Sequence, residues 1–139
     1  MAQESLVQTI LLENGLILEM YDQSRKVAGD RWLVKLVAKI DIPIDRLQTD
    51  AGEIRADDFK VLQASLGNCI RFQQGRERNF VDGRQKNAVF NDLLNSFLTS
   101  SQRYLAHPDF PLRYALREFR KRQQQRTWYR ERSNGQKKT

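Results

Sequence analysis

A run of arginines near the C-terminal end is the group of side chains in this sequence best suited to chemistry. Steps of three and four residues would put Arg113, Arg117 and Arg120 on one face of a helix, with Lys121 beside them. Guanidinium groups bind phosphates through paired hydrogen bonds. The sequence therefore predicts a polyanion-binding surface, whose candidate residues are Arg113, Arg117, Arg120, Lys121, Arg122, Arg126, Trp128, Tyr129 and Arg130.

The aromatic pair Trp128 and Tyr129 lies among these bases, where the rings could stack on nucleobases. This combination favours RNA or a single strand over sequence-specific duplex recognition. No helix-turn-helix spacing, zinc-finger pattern or aromatic-rich ribonucleoprotein strand accompanies it. Two alternatives remain open, because the same basic helix could dock on an acidic protein or could serve only to keep the chain hydrated.

Positive charge is concentrated at one end of the chain. From Pro111 to Thr139 there are ten Lys and Arg residues and two acids, a net charge of +8. Of the totals of 24 bases and 17 acids, 14 bases and 15 acids then remain for residues 1–110, a net charge of −1. A basic arm on a near-neutral body is typical of chains that meet polyanions or acidic partners.

Other chemistry-bearing residues form no recognisable site. The sequence holds one histidine, His107, and one cysteine, Cys69, whereas a zinc site needs several such ligands. Glycine-rich phosphate loops and nucleophile elbows are missing. We therefore expect no catalytic residue, no cofactor and no metal, with an enzyme of unknown class as an alternative. Cys69 lies on an apolar stripe, so we expect a buried thiol.

The stretch from Trp32 to Ile44 alternates apolar and polar residues and predicts a long strand at the centre of a sheet. Before it, Asn14-Gly15 lies between two apolar runs and predicts a two-residue hairpin turn that pairs Leu12 with Ile17. In that register Val7, Leu11, Leu16, Leu18 and Met20 share one face of the hairpin. Ile10, Leu12, Ile17 and Tyr21 share the other. Residues 22–31 are expected to form a polar loop.

Three apolar stripes at helical spacing follow the strands. The first, from Phe59 to Ile70, predicts a helix from Asp57 to about Gly75. The second runs over 90–105, with a capping box at 82–85 before it and His107-Pro108 after it. The third begins at Pro111 and stays apolar only through Phe119, so the last helix is expected to pack by its first turns alone.

Strands that precede helices along the chain indicate an α+β fold. We expect an N-terminal three-stranded antiparallel meander followed by about three α-helices packed on one sheet face. The predicted organisation is a single domain over 1–132, with the sheet over about 5–44 and the helices over about 57–130. Residues 133–139 are expected to form a disordered basic tail.

One face of that sheet would have no helix to cover it, and the predicted pairing makes both faces apolar. We therefore expect a homodimer, with a ligand cavity as the alternative. Its contacts would come from Ile10, Leu12, Ile17, Leu18, Met20 and Tyr21.

The predicted function is a non-catalytic binding or assembly module, with nucleic-acid binding by the basic helix as the alternative. The expected partners are a second copy of the chain, nucleic acid or an acidic protein. A cytoplasmic location without membrane contact is expected, because the chain has one cysteine and lacks a secretory or membrane-spanning pattern.

Overall fold

A computed structural model describes residues 4–45, 47 and 56–136, with the backbone alone at 56–58 and 127–136. These residues form two compact units. One unit comprises Met1–Ile42 and Arg71–Phe110, and the other comprises Pro43–Ile70 and Pro111–Thr139. The α+β class is confirmed, because an antiparallel sheet comes first and helices follow it.

The described part of the chain contains a five-stranded sheet and a set of helices. In chain order they are β1 (Ser5–Leu11), β2 (Ile17–Asp22), β3 (Arg25–Ala28), β4 (Arg31–Pro43), α1 (Ala56–Leu66), β5 (Cys69–Asp82), α2 (Lys86–Leu105) and α3 (Phe110–Gln136). Within the described residues, none of the helices has the length and apolar character that crossing a bilayer requires.

Strand β4 is the centre of the sheet, as its alternating sequence predicts. Leu18 of β2 pairs with Ile40, and Arg25 of β3 pairs with Leu33 in the same antiparallel register. Strands β2 and β3 therefore follow one another along one edge of β4. Strand β5 pairs with β4 as well, and the Gly83 N–H donates to the Asp30 carbonyl at 2.8 Å. Pro43 is the last residue of β4, as expected of a residue without an N–H.

The hairpin forms where it was predicted, but its register is one residue away from the predicted one. Leu11, not Leu12, pairs with Ile17, and Ile10 pairs with Leu18. The Gly15 N–H donates to the Leu12 carbonyl at 2.9 Å, and Gly15 has φ 87°. These features belong to a three-residue loop with glycine in the left-handed conformation, not to a two-residue turn. From Gln8 to Leu11 the β1 side chains consequently point to the opposite face from the predicted one. A bulge between Leu6 and Gln8 returns Leu6 to the face of Tyr21, where the predicted register also puts it.

The predicted helix from Asp57 to Gly75 is wrong beyond Leu66. Gly67 ends α1 in the left-handed conformation, with φ 82° and its N–H bonded to the Gln63 carbonyl at 2.8 Å. The following residues form β5 because they pair with β4. Cys69 therefore leaves the helical stripe, and its thiol is free and exposed where we expected a buried one.

Two smaller expectations also need correction. The segment 22–31 is not entirely loop, because Arg25–Ala28 form β3. Residues 82–85 do not form a capping box, because Gln85 is the N-cap of α2 and makes no side-chain cap hydrogen bond. Asp82 instead accepts a hydrogen bond from the Arg84 N–H at 2.9 Å, an Asx turn that leads into the helix.

Helix α2 follows its sequence pattern closely. Phe90, Leu93, Phe97 and Leu105 are buried at the predicted spacing, and a short turn at 106–109 separates the helix from α3. Helix α3 buries Ala115 near its start and is exposed from Arg120 to Arg126. Its helical backbone extends to Gln136 and so includes the first part of the expected tail, whereas 137–139 lie outside the described residues.

The two faces of the sheet differ in chemistry. The inner face is apolar and buried, and it carries Leu18, Met20, Val34, Leu36, Ala38, Ile40 and Ile42. The outer face carries Glu19, Tyr21, Lys39 and Asp41 in the alternating positions, with Leu11 and Ile17 at its end. Val37, which pairs with Tyr21, also lies on the outer face and is 1 % exposed, so this face combines charged and apolar side chains and is less apolar than expected.

Candidate polyanion-binding surface

Helix α3 carries the predicted basic side chains in exposed positions. Arg113, Arg117, Arg120 and Lys121 are all exposed. Because an α-helix turns once in about 3.6 residues, these four positions lie within one face of it. We name these four residues the basic strip. Arginine and lysine at this spacing can contact successive phosphates of one polyanion, since neither side chain loses its charge at neutral pH.

Two members of the predicted set lie on a different face of α3. Arg122 and Arg126 continue the apolar stripe of Ala115 and Phe119, on the far side of the helix from Arg120. The Arg122 guanidinium donates to the Ser65 carbonyl at 2.6 Å. Ser65 lies in the last turn of α1, where the helix dipole favours a cation. Arg122 therefore joins two helices of its own unit.

The acid nearest the basic strip is engaged with a neighbouring tyrosine. Burial is the main cause that raises the pKa of Tyr114, and the charge of Glu118 and a hydrogen bond to its carboxylate raise that pKa further. This contact leaves one acid beside the four bases of the strip, so the strip has an excess of positive charge.

Three predicted residues lie where only the backbone is described. Trp128, Tyr129 and Arg130 fall within the α3 range, and the predicted stacking role of their side chains stays a prediction.

The residues predicted for self-association separate into two groups. Leu12, Leu18 and Met20 are buried inside the chain's own core, with at most 3 % of their surface exposed. A second copy could not reach these three side chains without unfolding the sheet, so they are corrected from contact residues to core residues. Ile17 is 50 % exposed, whereas Ile10 and Tyr21 are partly exposed.

Ion pairs and an aromatic ring cover much of the outer face. The Lys39 ammonium forms an ion pair with Glu4 and lies 4.5 Å from the centre of the Tyr21 ring. The Tyr21 hydroxyl donates to Glu19 at 2.8 Å, and that bond is the main reason for its raised pKa. Arg71 of β5 bonds Asp41 of β4 at 2.8 Å. This face is therefore polar between its exposed apolar residues.

A cleft of about 470 Å³ lies between the hairpin loop and the end of α2. Its lining includes Leu12, Glu13, Arg103 and His107. The Asn14 side chain donates to the Leu105 carbonyl at 2.8 Å and to the His107 carbonyl at 3.0 Å, which closes one end. His107 itself accepts a hydrogen bond from the Asp109 N–H at 3.1 Å, so it acts as a turn residue, as expected.

Among the described residues, no group of three or more His, Cys, Asp or Glu side chains is arranged to hold a metal ion. Sequence reasoning did not single out Phe80, which is 64 % exposed and has φ 61°. Phe80 lies between Asn79 and Val81 and belongs to no apolar stripe at strand or helix spacing, so the sequence gave no signal for it. The exposure of Phe80 becomes evident only in the structure, where β5 pairs with β4.

Comparisons with protein-family models, with curated proteins and with solved structures found no match for this chain.

Proposed function

We propose that this protein is a non-catalytic binding module that holds nucleic acid on the basic strip of α3. One observation carries the proposal: Arg113, Arg117, Arg120 and Lys121 are exposed together on one helical face. A phosphate backbone presents regularly spaced negative charges, and binding it releases counterions, which favours association at low salt.

Three further features support this proposal over a merely hydrated helix. The net charge of +8 is concentrated in residues 111–139, so the field there is directional. The helix is long, at 27 residues, and its described side chains from Arg120 to Arg126 are exposed. The single cysteine is compatible with a reducing compartment, and we propose the cytoplasm, where nucleic acids are abundant.

The test compares two variants with the same change in net charge. Arg117→Gln/Arg120→Gln removes two charges from the basic strip, and Lys60→Gln/Arg103→Gln removes two exposed charges elsewhere. Fluorescence anisotropy with RNA and DNA oligonucleotides, single- and double-stranded, is measured from about 50 to 200 mM salt. The strip variant should lose about tenfold in affinity at roughly 0.7 kcal/mol for each contact.

The salt dependence gives a second readout. The slope of log affinity against log salt should fall by about 1.4 for the strip variant with a single strand, from roughly 0.7 for each phosphate contact. The control variant should keep the wild-type slope. Equal losses in both variants would reduce the effect to net charge alone, and absence of wild-type binding at 50 mM salt would reject the proposal.

A second candidate function is self-association through the outer face. Leu11 is 75 % exposed and pairs directly with Ile17, which is 50 % exposed, so these two side chains form a continuous apolar contact area at the hairpin end. Exposed apolar groups of this kind suit a symmetric contact with a second copy.

Sedimentation equilibrium tests this second candidate. Ile17→Asp should weaken a dimer, whereas Val61→Asp should not, although Val61 is equally exposed at 56 %. A wild-type protein that remains monomeric at high concentration would remove self-association and leave the nucleic-acid proposal intact.

A further inference from the structure

A cluster of basic residues lies at the end of the sheet where β4 begins and β5 ends. Residues 25–31 and 78–86 contain six bases and two acids, a net charge of +4. We name this region the basic corner, and its bases are Arg25, Lys26, Arg31, Arg78, Arg84 and Lys86. It belongs to the unit of the sheet and α2, whereas the basic strip belongs to the other unit.

Strand pairing and side-chain contacts bring these segments together. Lys26 pairs with Trp32, and the Lys86 ammonium lies 3.8 Å from the centre of the Trp32 ring. Asp82 lies 4.0 Å from Arg31 and 3.9 Å from Arg84. One carboxylate thus stands between two guanidinium groups, and the Arg84 side chain is 92 % exposed. The corner therefore has a net positive charge, part of which is exposed to solvent on Arg84.

Phe80 is exposed within this basic corner. Its side chain is 64 % exposed, and Arg78 and Arg84 lie within four residues of it along the chain. A phenylalanine that is mostly exposed gains little from burial in the folded monomer. It does offer an aromatic face on which a planar group can stack.

The backbone at Phe80 is in a conformation that side chains normally avoid. Its φ is 61°, and it is the one non-glycine residue with positive φ in the described part of the chain. The Phe80 N–H donates to the Asn79 side-chain oxygen at 2.9 Å, which helps to hold this geometry. Glycine would relieve the strain, so the choice of phenylalanine works against stability. Strained positions of this kind occur often at binding sites.

From these observations we propose that the basic corner binds single-stranded nucleic acid, with one base stacked on Phe80 and the flanking phosphates on Arg78 and Arg84. An exposed ring among arginines fits an unpaired base, because every base has a flat face and every linkage carries a charge. A duplex keeps its bases stacked on one another and offers no free face to Phe80. This inference goes beyond the proposed function, since it adds a second nucleic-acid site outside the basic strip and names the form of nucleic acid that this site prefers.

The test measures anisotropy of a uridine oligonucleotide and of a mixed-sequence duplex with wild type and Phe80 variants. Phe80→Leu keeps the apolar bulk but removes the ring, and it should weaken single-strand binding about 5- to 150-fold. Duplex binding should change less than about twofold, because the charges are unaltered. Phe80→Trp should restore single-strand binding. The control Tyr104→Leu removes another aromatic ring, 51 % exposed, and should have no effect.

A further variant separates binding from folding. Phe80→Gly relieves the backbone strain, so its melting temperature should equal or exceed the wild-type value while single-strand binding falls as in Phe80→Leu. A variant that is both less stable and a weaker binder would mean that Phe80 has a structural role, and the inference would be rejected.

The remaining outcomes are distinguishable. Wild type that binds no nucleic acid at 50 mM salt defeats the proposed function and this inference together. Wild type that binds, with Phe80→Leu unchanged for the single strand, overturns this inference and leaves the basic strip untouched. Equal losses for single strand and duplex also overturn it, because stacking would not explain them. If polyglutamate competes as well as the oligonucleotide at equal charge, the corner is a docking site for an acidic protein instead.

Discussion

The inner and outer faces of this sheet are made by the same strands, and they are held in different ways. The inner face is continuous aliphatic packing, in which Leu18, Leu36 and Ile40 have 1 % or less of their surface exposed. The outer face is held by ion pairs and by the contact of Lys39 with the Tyr21 ring. Burial of apolar surface stabilises far more than exposed ion pairs do, so the two faces should respond very differently to substitution.

That difference limits the apolar surface on the outer face, where Val37 is 1 % exposed and charged side chains surround it in the strand pairing. Aliphatic side chains on both faces would leave a large apolar patch in solvent, which monomers rarely tolerate. The ion pairs of Lys39 with Glu4 and of Arg71 with Asp41 reduce that patch, and the aliphatic stem of Lys39 can cover neighbouring apolar atoms. Charged side chains that are paired therefore take the place of part of the apolar surface on the outer face.

The largest expected effect comes from truncating the inner face. Leu36→Ala should lower the free energy of unfolding by about 2–5 kcal/mol, through lost burial and the cavity left behind. Ile17→Ala on the outer face should lower it by less than about 1 kcal/mol, because half of that side chain already meets water. Denaturant unfolding measures both. Similar losses in the two variants would contradict the distinction between the faces.

An intermediate effect is expected at Asn14, whose side chain holds the hairpin loop. Asn14 holds the hairpin loop through the Leu105 and His107 carbonyls and also accepts from the Leu16 N–H at 3.1 Å. Asn14→Ala should cost about 1–3 kcal/mol in unfolding free energy, since these partly buried groups lose their partner.

The control for Asn14 is Gln8→Ala, in exposed strand β1, which should change stability by less than about 0.5 kcal/mol. Amide hydrogen exchange at Leu12 and Leu16 should rise in Asn14→Ala alone. Unchanged exchange there would mean that the strand pairing, not Asn14, sets the register.

The smallest effect concerns pH and the outer face. The hydrogen bond and charge of Lys39 lower the pKa of Glu4 below its ordinary value of 4.5. A lowered folded pKa gives stability that is present above 4.5 and lost as pH falls through the folded value. Glu4→Gln should therefore reduce the dependence of melting temperature on pH below 4.5, and Glu13→Gln serves as the control. A larger pH effect from the control would show that the ion pair with Lys39 contributes nothing.

Local sequence signals were enough to predict the elements whose apolar residues recur with a strong period. Strand β4 and helix α2 were predicted because their apolar residues recur at two and at three to four positions, respectively. Asn14-Gly15 correctly predicted the position of the hairpin, but it did not predict the register of the two strands. A glycine can serve a two-residue or a three-residue loop, and the choice depends on which apolar side chains the finished core accepts.

Strand β5 shows where local signals fail. Its residues from Gln73 to Arg78 are polar and its apolar residues continue the stripe of α1, so helical periodicity extended past the true helix end. Gly67 lies inside the predicted helix, but in the structure its positive φ ends the helix. Pairing with β4, a contact distant in sequence, makes this stretch a strand.

The basic strip was predictable because charge and helical spacing are both written in the sequence. The same spacing puts Arg122 on another face of α3, but its hydrogen bond to the Ser65 carbonyl could not be predicted, because Ser65 is distant in the sequence. The basic corner escaped prediction for a related reason: its bases come from segments some fifty residues apart in the chain, joined only by strand pairing.

The sequence by itself determined the α+β class, the central strand, the core face of α2 and the concentration of positive charge after residue 110. These properties follow from the order and periodicity of residues close together in the chain. The tertiary structure alone decided the register of the hairpin, the existence of β5, the polar outer face and the exposure of Phe80. Each of these depends on which distant segments pair, and that choice is made by the burial of the whole core, which no short stretch encodes.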